Sequence, residues 1–270
     1  MPYYGDGVTS ATPRAGSSSD PSTPLTVRRR LSVVVPAFNE EALLADSLRS
    51  IQVALDAVTS RGWSSEVIVC DNHSTDRTAV LARAAGATVC YEPVNQIARA
   101  RNTGAAYAHG EWILFVDADS RPSPALMMQV VDAIEPGRSL AGGSTICFDG
   151  RHPHVVTWMT QIWNLVSRLA KWAPGSFLFC DAATFRAVGG FNERLFAGEE
   201  IDLCRRLKRI ARRQARRIVI LHQHPLRTSD RKVHLYTMRE LLTFLVRAVL
   251  SRGRTLTSAD ACFAWYDGRR

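Results

Sequence analysis

Two carboxylates stand one residue apart at the end of an apolar run: Asp117 and Asp119 in "LFVDADS" (114–120). Aspartate is common in turns, and that alone could account for either residue. The spacing allows more, because alternate residues of an extended segment point the same way. Several carboxylates gathered at one edge repel one another. At ~4 Å and an effective dielectric near ~20, each like-charge contact costs about 4 kcal/mol. A hard divalent cation resolves that conflict: Mg²⁺ or Mn²⁺ accepts one or two carboxylate oxygens and fills its shell with substrate phosphates. Such an ion would neutralise charge building on a departing diphosphate.

Further acids lie at comparable places. Glu40 ends "PAFNE" and Asp71 opens "DNHSTD". "GEEIDL" (198–203) offers Glu199, Glu200 and Asp202 at the expected start of a helix. Acids there gain a few tenths to about 1 kcal/mol from the helix dipole. Two adjacent carboxylates also raise one another's pKa, which suits a general base.

These residues need a scaffold that brings them together, and the apolar pattern supplies one. "LSVVVPA" (31–37) is a continuous apolar run, as in a strand buried on both faces. Asn39 is positioned to cap a helix whose stripe is Leu44, Leu48, Ile51, Leu55 and Val58. "EVIVC" (66–70) reads as the next strand, with Ser74, Thr75 and Asp76 starting the following helix. "ATVCY" (87–91) is a third strand, followed by a helix over 96–108. "WILFV" (112–116) is a fourth, followed by a helix over 123–135. Strand and helix alternating at this spacing predict right-handed crossovers and a mainly parallel sheet flanked by helices. Ligands of open α/β sheets bind beyond the carboxyl ends of the strands. Those ends carry Glu40, Asp71, Asp117 and Asp119.

Beyond residue 140 the pattern loosens. "AGGSTICF" and "GSFLFC" read as strands, "RAVGGFNE" as a turn-rich loop and "RIVIL" as a short strand followed by His222 and His224. Residues 154–172 predict an amphipathic helix bearing Trp158, Trp163 and Trp172, its apolar side assigned to the core in preference to an acceptor platform. The helix from Gly198 presents Leu203, Leu207 and Ile210 on one face, and residues 233–250 read as a further helix. "RRLKRIARRQARR" (205–217) holds eight Lys or Arg. It reads as a solvated face, the rival being contact with anionic headgroups or a phosphorylated acceptor.

The 270 residues are 46% hydrophobic with a formal net charge of +9, enough for a full core under a surface that attracts polyanions. None of the six cysteines forms a CxxC pair, and several lie in apolar runs, so a reduced, cytosolic protein is expected. No basic-then-apolar leader opens the chain, and no apolar run approaches the ~20 residues that span a bilayer. "LLTFLVRAVL" (241–250) is short and carries Arg247, so any membrane contact is expected to be peripheral, on the inner face. Residues 1–28, rich in Ser, Thr, Pro and Gly, read as a disordered tail.

Taken in order, these segments resemble the family 2 glycosyltransferases with a GT-A fold, a Rossmann-like nucleotide-diphospho-sugar transferase architecture. "LSVVVPAFNEE" resembles that family's opening strand and "VIVCDNHSTDRT" its nucleotide-binding segment. "ARARNTGA" is similar to the Ala-Arg-Asn-x-Gly stretch, and "FVDADS" to the Asp-x-Asp motif. "VGGFNERLFAGEEIDLCRRLKR" resembles the Gly-Gly-Phe loop and the Glu-Asp motif beyond it. The resemblance covers about residues 31–222. It implies transfer of a sugar from a nucleotide-sugar to a hydroxyl acceptor with inversion at the anomeric carbon. It implies that Pro36, Ala37, Phe38 and Glu40 line the base and ribose pocket, that Asp71 accepts from the base, and that Arg101 supports the pocket or the phosphates. Asp117 would hold sugar or ribose hydroxyls and Asp119 the Mg²⁺ or Mn²⁺, with His222 or His224 as a further metal ligand. Glu200 stands where the family usually has an Asp base, and Glu199 is its nearest rival. A Gln-x-x-Arg-Trp stretch is absent, which implies single-sugar transfer.

The implied organisation is a tail (1–28), a GT-A domain (29–230, with a nucleotide-sugar half 29–120 and an acceptor half 121–230) and a C-terminal helical extension (231–270). Two other classes compete. A nucleotidyltransferase would place a Gly-rich loop with a basic residue after the first strand, and "PAFNEEALL" has neither. A basic non-enzymatic protein binding membrane or nucleic acid would explain the charge but not the acids at the strand ends, so no nucleic-acid partner is expected.

Overall fold

The run Leu31–Val35 is fully buried, and it alternates between two cores. Leu31, Val33 and Val35 face one cluster, Val34 the other. This is strand β1 (Arg30–Ala37), covered on both sides as its unbroken apolar sequence requires. The computed structural model describes residues 29–150, 152, 154–231 and 254–262. The expected tail (1–28) and the expected helix over 233–250 lie outside the described residues.

Helix α1 (Leu44–Ser60) buries the predicted stripe on the first core. Then come β2 (Ser64–Asp71), α2 (Thr78–Ala84), β3 (Thr88–Tyr91), α3 (Ile97–Ala106) and β4 (Trp112–Val116). The four strands pair in parallel in the order β3-β2-β1-β4. The chain therefore winds outward through β2 and β3, then returns to place β4 on the other side of β1. Ladder pairs between β1 and β4 stop at Val34 and Phe115, so their carboxyl ends splay at the point where strand order reverses. Pro36, which has no N–H to give, sits beyond that last pair.

The second half is mixed: β5 (Ser120–Arg121), α4 (Pro124–Ile134), β6 (Ser139–Phe148), α5 (His154–Ala170), β7 (Phe177–Asp181), α6 (Ala182–Ala187), α7 (Glu199–Arg213) and β8 (Arg217–Thr228). They extend the same sheet as β4-β7-β6-β8-β5. β7 runs antiparallel to both β4 and β6, and β8 runs parallel to β6. The carboxyl ends of β4, β6 and β8 and the start of β7 consequently share one edge. α1 and α4 cover one face of the sheet, and α3 and α7 the other. The chain has the predicted GT-A architecture, a predominantly parallel sheet flanked by helices.

Several local expectations are corrected. Asn39 does not cap α1; it adopts a left-handed φ of 50°, and its Oδ1 accepts from the Thr75 backbone N–H at 2.8 Å, tying the loop after β1 to the loop after β2. Ser123 does cap α4, accepting from Leu126 N–H at 3.1 Å, with Pro124 at the first helical position. "RIVIL" is only the start of a longer strand: His222 and His224 lie within β8, where the ladder jumps from Leu221 to Leu226 and residues 222–225 bulge outward. The Trp-bearing helix is not a core helix, since only Val156 and Ser167 of α5 are buried and Trp158 is 65% exposed. No helix among the described residues is long and apolar enough to cross a membrane.

Candidate functional site

At the splayed ends of β1 and β2, Ala37 lies opposite Asp71. Asp71 is buried, and its Oδ1 accepts from the Ser74 N–H at 3.0 Å, closing a turn that shapes the loop. Pro36 and Ala37 are buried and Phe38 half-buried. Glu40 is buried too, with its backbone N–H given to the Thr78 hydroxyl at 2.8 Å. Its carboxylate receives both contacts of Arg231 Nη2, at 2.7 and 2.9 Å. Burial opposes the Arg231 charge, but Glu40 and then Asp119 outweigh it and hold its pKa above the ordinary arginine value.

One strand further, Asp117 and Asp119 leave β4 as predicted. Asp117 gives its N–H to Ser176 O at 3.2 Å, and its Oδ1 accepts from Arg101 Nη2 at 3.0 Å. Asp119 is buried at the end of β8: its carbonyl accepts from Ser229 N–H at 3.1 Å, and the Ser120 and Thr228 hydroxyls approach Oδ1 only at a long 3.4 Å.

Arg101 joins the halves. It is 2% exposed, and it gives Nη1 to Glu199 Oε1 at 2.6 Å and Nη2 to Asp117 and to the Gly175 carbonyl, both at 3.0 Å. A Cβ at position 175 would sit 2.9 Å from Nη2, so glycine is needed where the guanidinium crosses the backbone. The Phe191 ring lies beneath the guanidinium at 5.2 Å. Burial opposes this charge; Asp117, Glu199 and Glu200 offset the penalty and keep the pKa raised. Arg101 was expected to support the pocket or the phosphates; in the structure both its Nη atoms bond groups of the protein.

The same helix fastens the Gly-Gly-Phe loop. Asn102 exchanges hydrogen bonds with the Phe191 backbone, at 2.9 Å to its carbonyl and 2.8 Å from its N–H. Asn102 and Arg99 also bond Glu193, and Gln96 Nε2 reaches the carbonyls of Glu193 and Leu195. That loop ends at Gly198, whose φ of +75° starts α7. The two 3₁₀ turns, Arg254–Thr257 and Asp260–Cys262, back it: Phe196 N–H bonds Leu256 O at 2.7 Å, and Ala197 packs with Cys262.

These pieces enclose a cleft of about 290 Å³, lined by Asp117, Asp119, Glu199, Glu200, Phe148 and Thr228 among others. Glu199 is buried and consumed by Arg101, whereas Glu200 is half-buried on the cleft wall. Burial, and then the Glu199 carboxylate, push the Glu200 carboxyl up to about 8 against the pull of Arg101. A group near neutrality facing a cleft is suited to exchange protons.

The structure brings together Asp117, Asp119 and Glu200, and separately Ala37, Asp71 and Glu40. It does not bring in His222 or His224, which are exposed on the β8 bulge and are not among the cleft-lining residues. The correction follows from β8 continuing past them: Thr228, six residues after His222, is what reaches Asp119. Sequence reasoning also missed Arg231, Gly175 and Thr228. The one signal available was the surplus of acids at the strand ends, which demands counter-charge. Among the described residues no three His, Cys, Asp or Glu side chains gather into a metal site of their own. A single buried carboxylate with weakly engaged oxygens still fits Mg²⁺ or Mn²⁺, whose shells are completed by substrate phosphates.

Known proteins share this fold. The chain is 25% identical over 223 residues to the pre-mycofactocin glycosyltransferase of Mycobacterium tuberculosis, covering 75% of this chain and 44% of that one; it thus spans less than half the length of this curated relative. Its fold superposes on S. aureus TarS 1-349 in complex with UDP-GlcNAc (TM-score 0.57, 19% identity, 89% of this chain and 74% of that one). It also superposes on glucosyl-3-phosphoglycerate synthase from Mycobacterium tuberculosis in complex with Mn²⁺ and UDP-glucose (TM-score 0.56, 23% identity, 83% and 79%). The sequence model described as Glycosyl transferase family 2 matches residues 32–186, from within β1 to within α6, and the chain belongs to that family.

Proposed function

We propose that the chain moves a single sugar from a nucleotide-diphosphate sugar to a hydroxyl acceptor, with inversion, in one displacement. The observation that carries this reading is the cleft itself: Asp117, Asp119 and the raised Glu200 face one space at the switch-point edge of the sheet. The base and ribose would lie along Pro36, Ala37, Phe38 and Asp71, with the diphosphate running toward Asp119. Asp117, already fixed by Arg101, would accept from sugar or ribose hydroxyls. Asp119 would hold Mg²⁺ or Mn²⁺, whose contribution when bound is charge neutralisation on the leaving nucleoside diphosphate.

In its ionised form Glu200 takes the acceptor proton at its carboxylate; the acceptor oxygen then attacks the anomeric carbon as the bond to the diphosphate breaks. Glu199 is the weaker candidate, because Arg101 already holds it. The raised Glu200 value makes the base half-ionised near pH 8, and bound cation would draw it lower. Residues 29–230 would be the transferring domain, with Arg231 and the turns at 254–262 built onto its edge.

The test is a thermal-shift screen of UDP-, GDP- and dTDP-sugars with and without Mn²⁺. A preferred donor raises the midpoint in a Mn²⁺-dependent way, and Asp119→Ala removes the Mn²⁺-dependent part. A midpoint that no donor moves, or a full Mn²⁺-dependent shift in Asp119→Ala, would overturn the assignment.

A further inference from the structure

Helix α5 turns its apolar side outward. Trp158 is 65%, Leu165 54% and Leu169 75% exposed, and Val155, Met159 and Ile162 continue the same stripe at helical spacing. Soluble surfaces seldom leave such a contiguous stripe without a partner. The helix is nonetheless firmly seated: Asn164 exchanges hydrogen bonds with the Ile146 backbone at 2.9 and 3.0 Å, fixing α5 to the strand that lines the cleft.

The rim of the stripe is cationic. Residues 151–172 contain no Asp or Glu. At the C-terminal end of α5, Arg168 and Lys171 are exposed, and Lys208 of α7 donates to the Ala170 carbonyl. Arg205 and Lys208 lie over the Trp172 ring at 5.5 and 5.8 Å. Arg212, exposed on the same helix, adds to the field: Lys208 is held below its ordinary value first by burial, then by Arg212, Arg205 and Lys171.

From this juxtaposition of an apolar helix face with a row of arginines we propose that α5 and the adjoining face of α7 dock on an anionic lipid bilayer. α5 would lie in the interface with Trp158, Leu165 and Leu169 among the acyl chains and the arginines at the headgroups. The charge pattern selects this occupant. A second copy packed face to face would set two cationic rims against each other with no acid on α5 to pair them. The chain segment 232–253 is itself basic, with four Lys or Arg and one Glu. The surface borders the cleft through Ile146, so docking would present the acceptor side of the site to the membrane.

The test uses the full chain and sedimentation with vesicles of phosphatidylcholine alone or with phosphatidylserine. Wild type is expected to partition onto the anionic vesicles, less so at high salt. Leu165→Glu/Leu169→Glu is expected to lose about tenfold or more of that partition. Arg205→Glu/Arg212→Glu is expected to weaken it and flatten its salt dependence, and this pair keeps the test open should the α5 variant misfold by circular dichroism. No partition of wild type, or partition unchanged in folded Leu165→Glu/Leu169→Glu, would overturn the proposal. So would a wild-type dimer by light scattering that the α5 variant splits, because the face would then belong to a second copy.

Discussion

The two halves of the sheet hold their acids in different ways. In the parallel half, Asp71 is fixed by Ser74, three residues away, and the loops after β1 and β2 clasp each other through Asn39, Ser74 and Thr75. In the mixed half, Glu199 is fixed by Arg101 and the Glu193 carboxylate by Arg99 and Asn102, across more than ninety residues of chain. Apart from Glu40, which Arg231 holds, the loops after β1 and β2 are shaped by bonds between themselves, whereas the segment before α7 is hung from α3. The difference makes α3 the joint of the molecule: Arg101 and Asn102 tie the segments around Gly175 and Phe191 to it, and Arg101 also lines the cleft.

Removing the joint should have the largest effect. Arg101→Met leaves Asp117 and Glu199 without their buried counter-charge, and stripping one partner from such a network costs about 3–5 kcal/mol. Urea denaturation is expected to show a loss of that order together with loss of donor turnover. Wild-type stability in this variant would mean that α3 is not the joint.

Glu200→Gln should separate chemistry from architecture. It removes the proposed base on the cleft wall, so turnover is expected to fall by about 10²–10⁴-fold with donor-induced thermal shifts retained. The same variant carries a pH signature. A carboxyl raised to about 8 in the folded state holds its proton where the unfolded chain has released it. Its contribution is therefore fully present below the ordinary carboxyl range and is lost as pH rises through about 8. Wild-type stability should decline across that window, and Glu200→Gln should flatten the decline; parallel pH profiles would contradict the burial argument.

Asn102→Ala breaks the staple to Phe191 while leaving Arg101 in place. A buried backbone pair left unsatisfied costs about 1–3 kcal/mol, and the loop before α7 should loosen, seen as faster hydrogen exchange at 190–200 with the loops of 37–40 and 71–76 unchanged. Smallest of all should be His222→Ala with His224→Ala. Exposed residues outside such networks shift stability by less than about 0.5 kcal/mol, and the Mn²⁺-dependent thermal shift should persist.

The same contrast explains what the sequence disclosed. β1, β2 and β4, the α1 stripe and the placement of Asp71, Asp117 and Asp119 follow from local pattern: unbroken apolar runs need two covered faces, and acids at their ends fall on one edge. Arg101, Arg231 and Thr228 were harder, because a residue's partner across the chain leaves no period. The repulsion among the strand-end acids was legible, but two internal arginines relieve much of it where a cation alone was expected. His222 and His224 were misplaced because a strand that bulges and resumes reads as a strand that has ended. The face of α5 was read as core since amphipathicity marks an apolar side without saying what covers it.

The most direct measurement is release of nucleoside diphosphate from a panel of nucleotide-sugars with Mn²⁺, comparing wild type, Asp119→Ala and Glu200→Gln. We expect wild type to turn over one donor, Asp119→Ala to lose Mn²⁺-dependent release, and Glu200→Gln to bind that donor without releasing product. Release at the wild-type rate in both variants would show that the cleft framed by Asp119 and Glu200 is not where sugar transfer occurs.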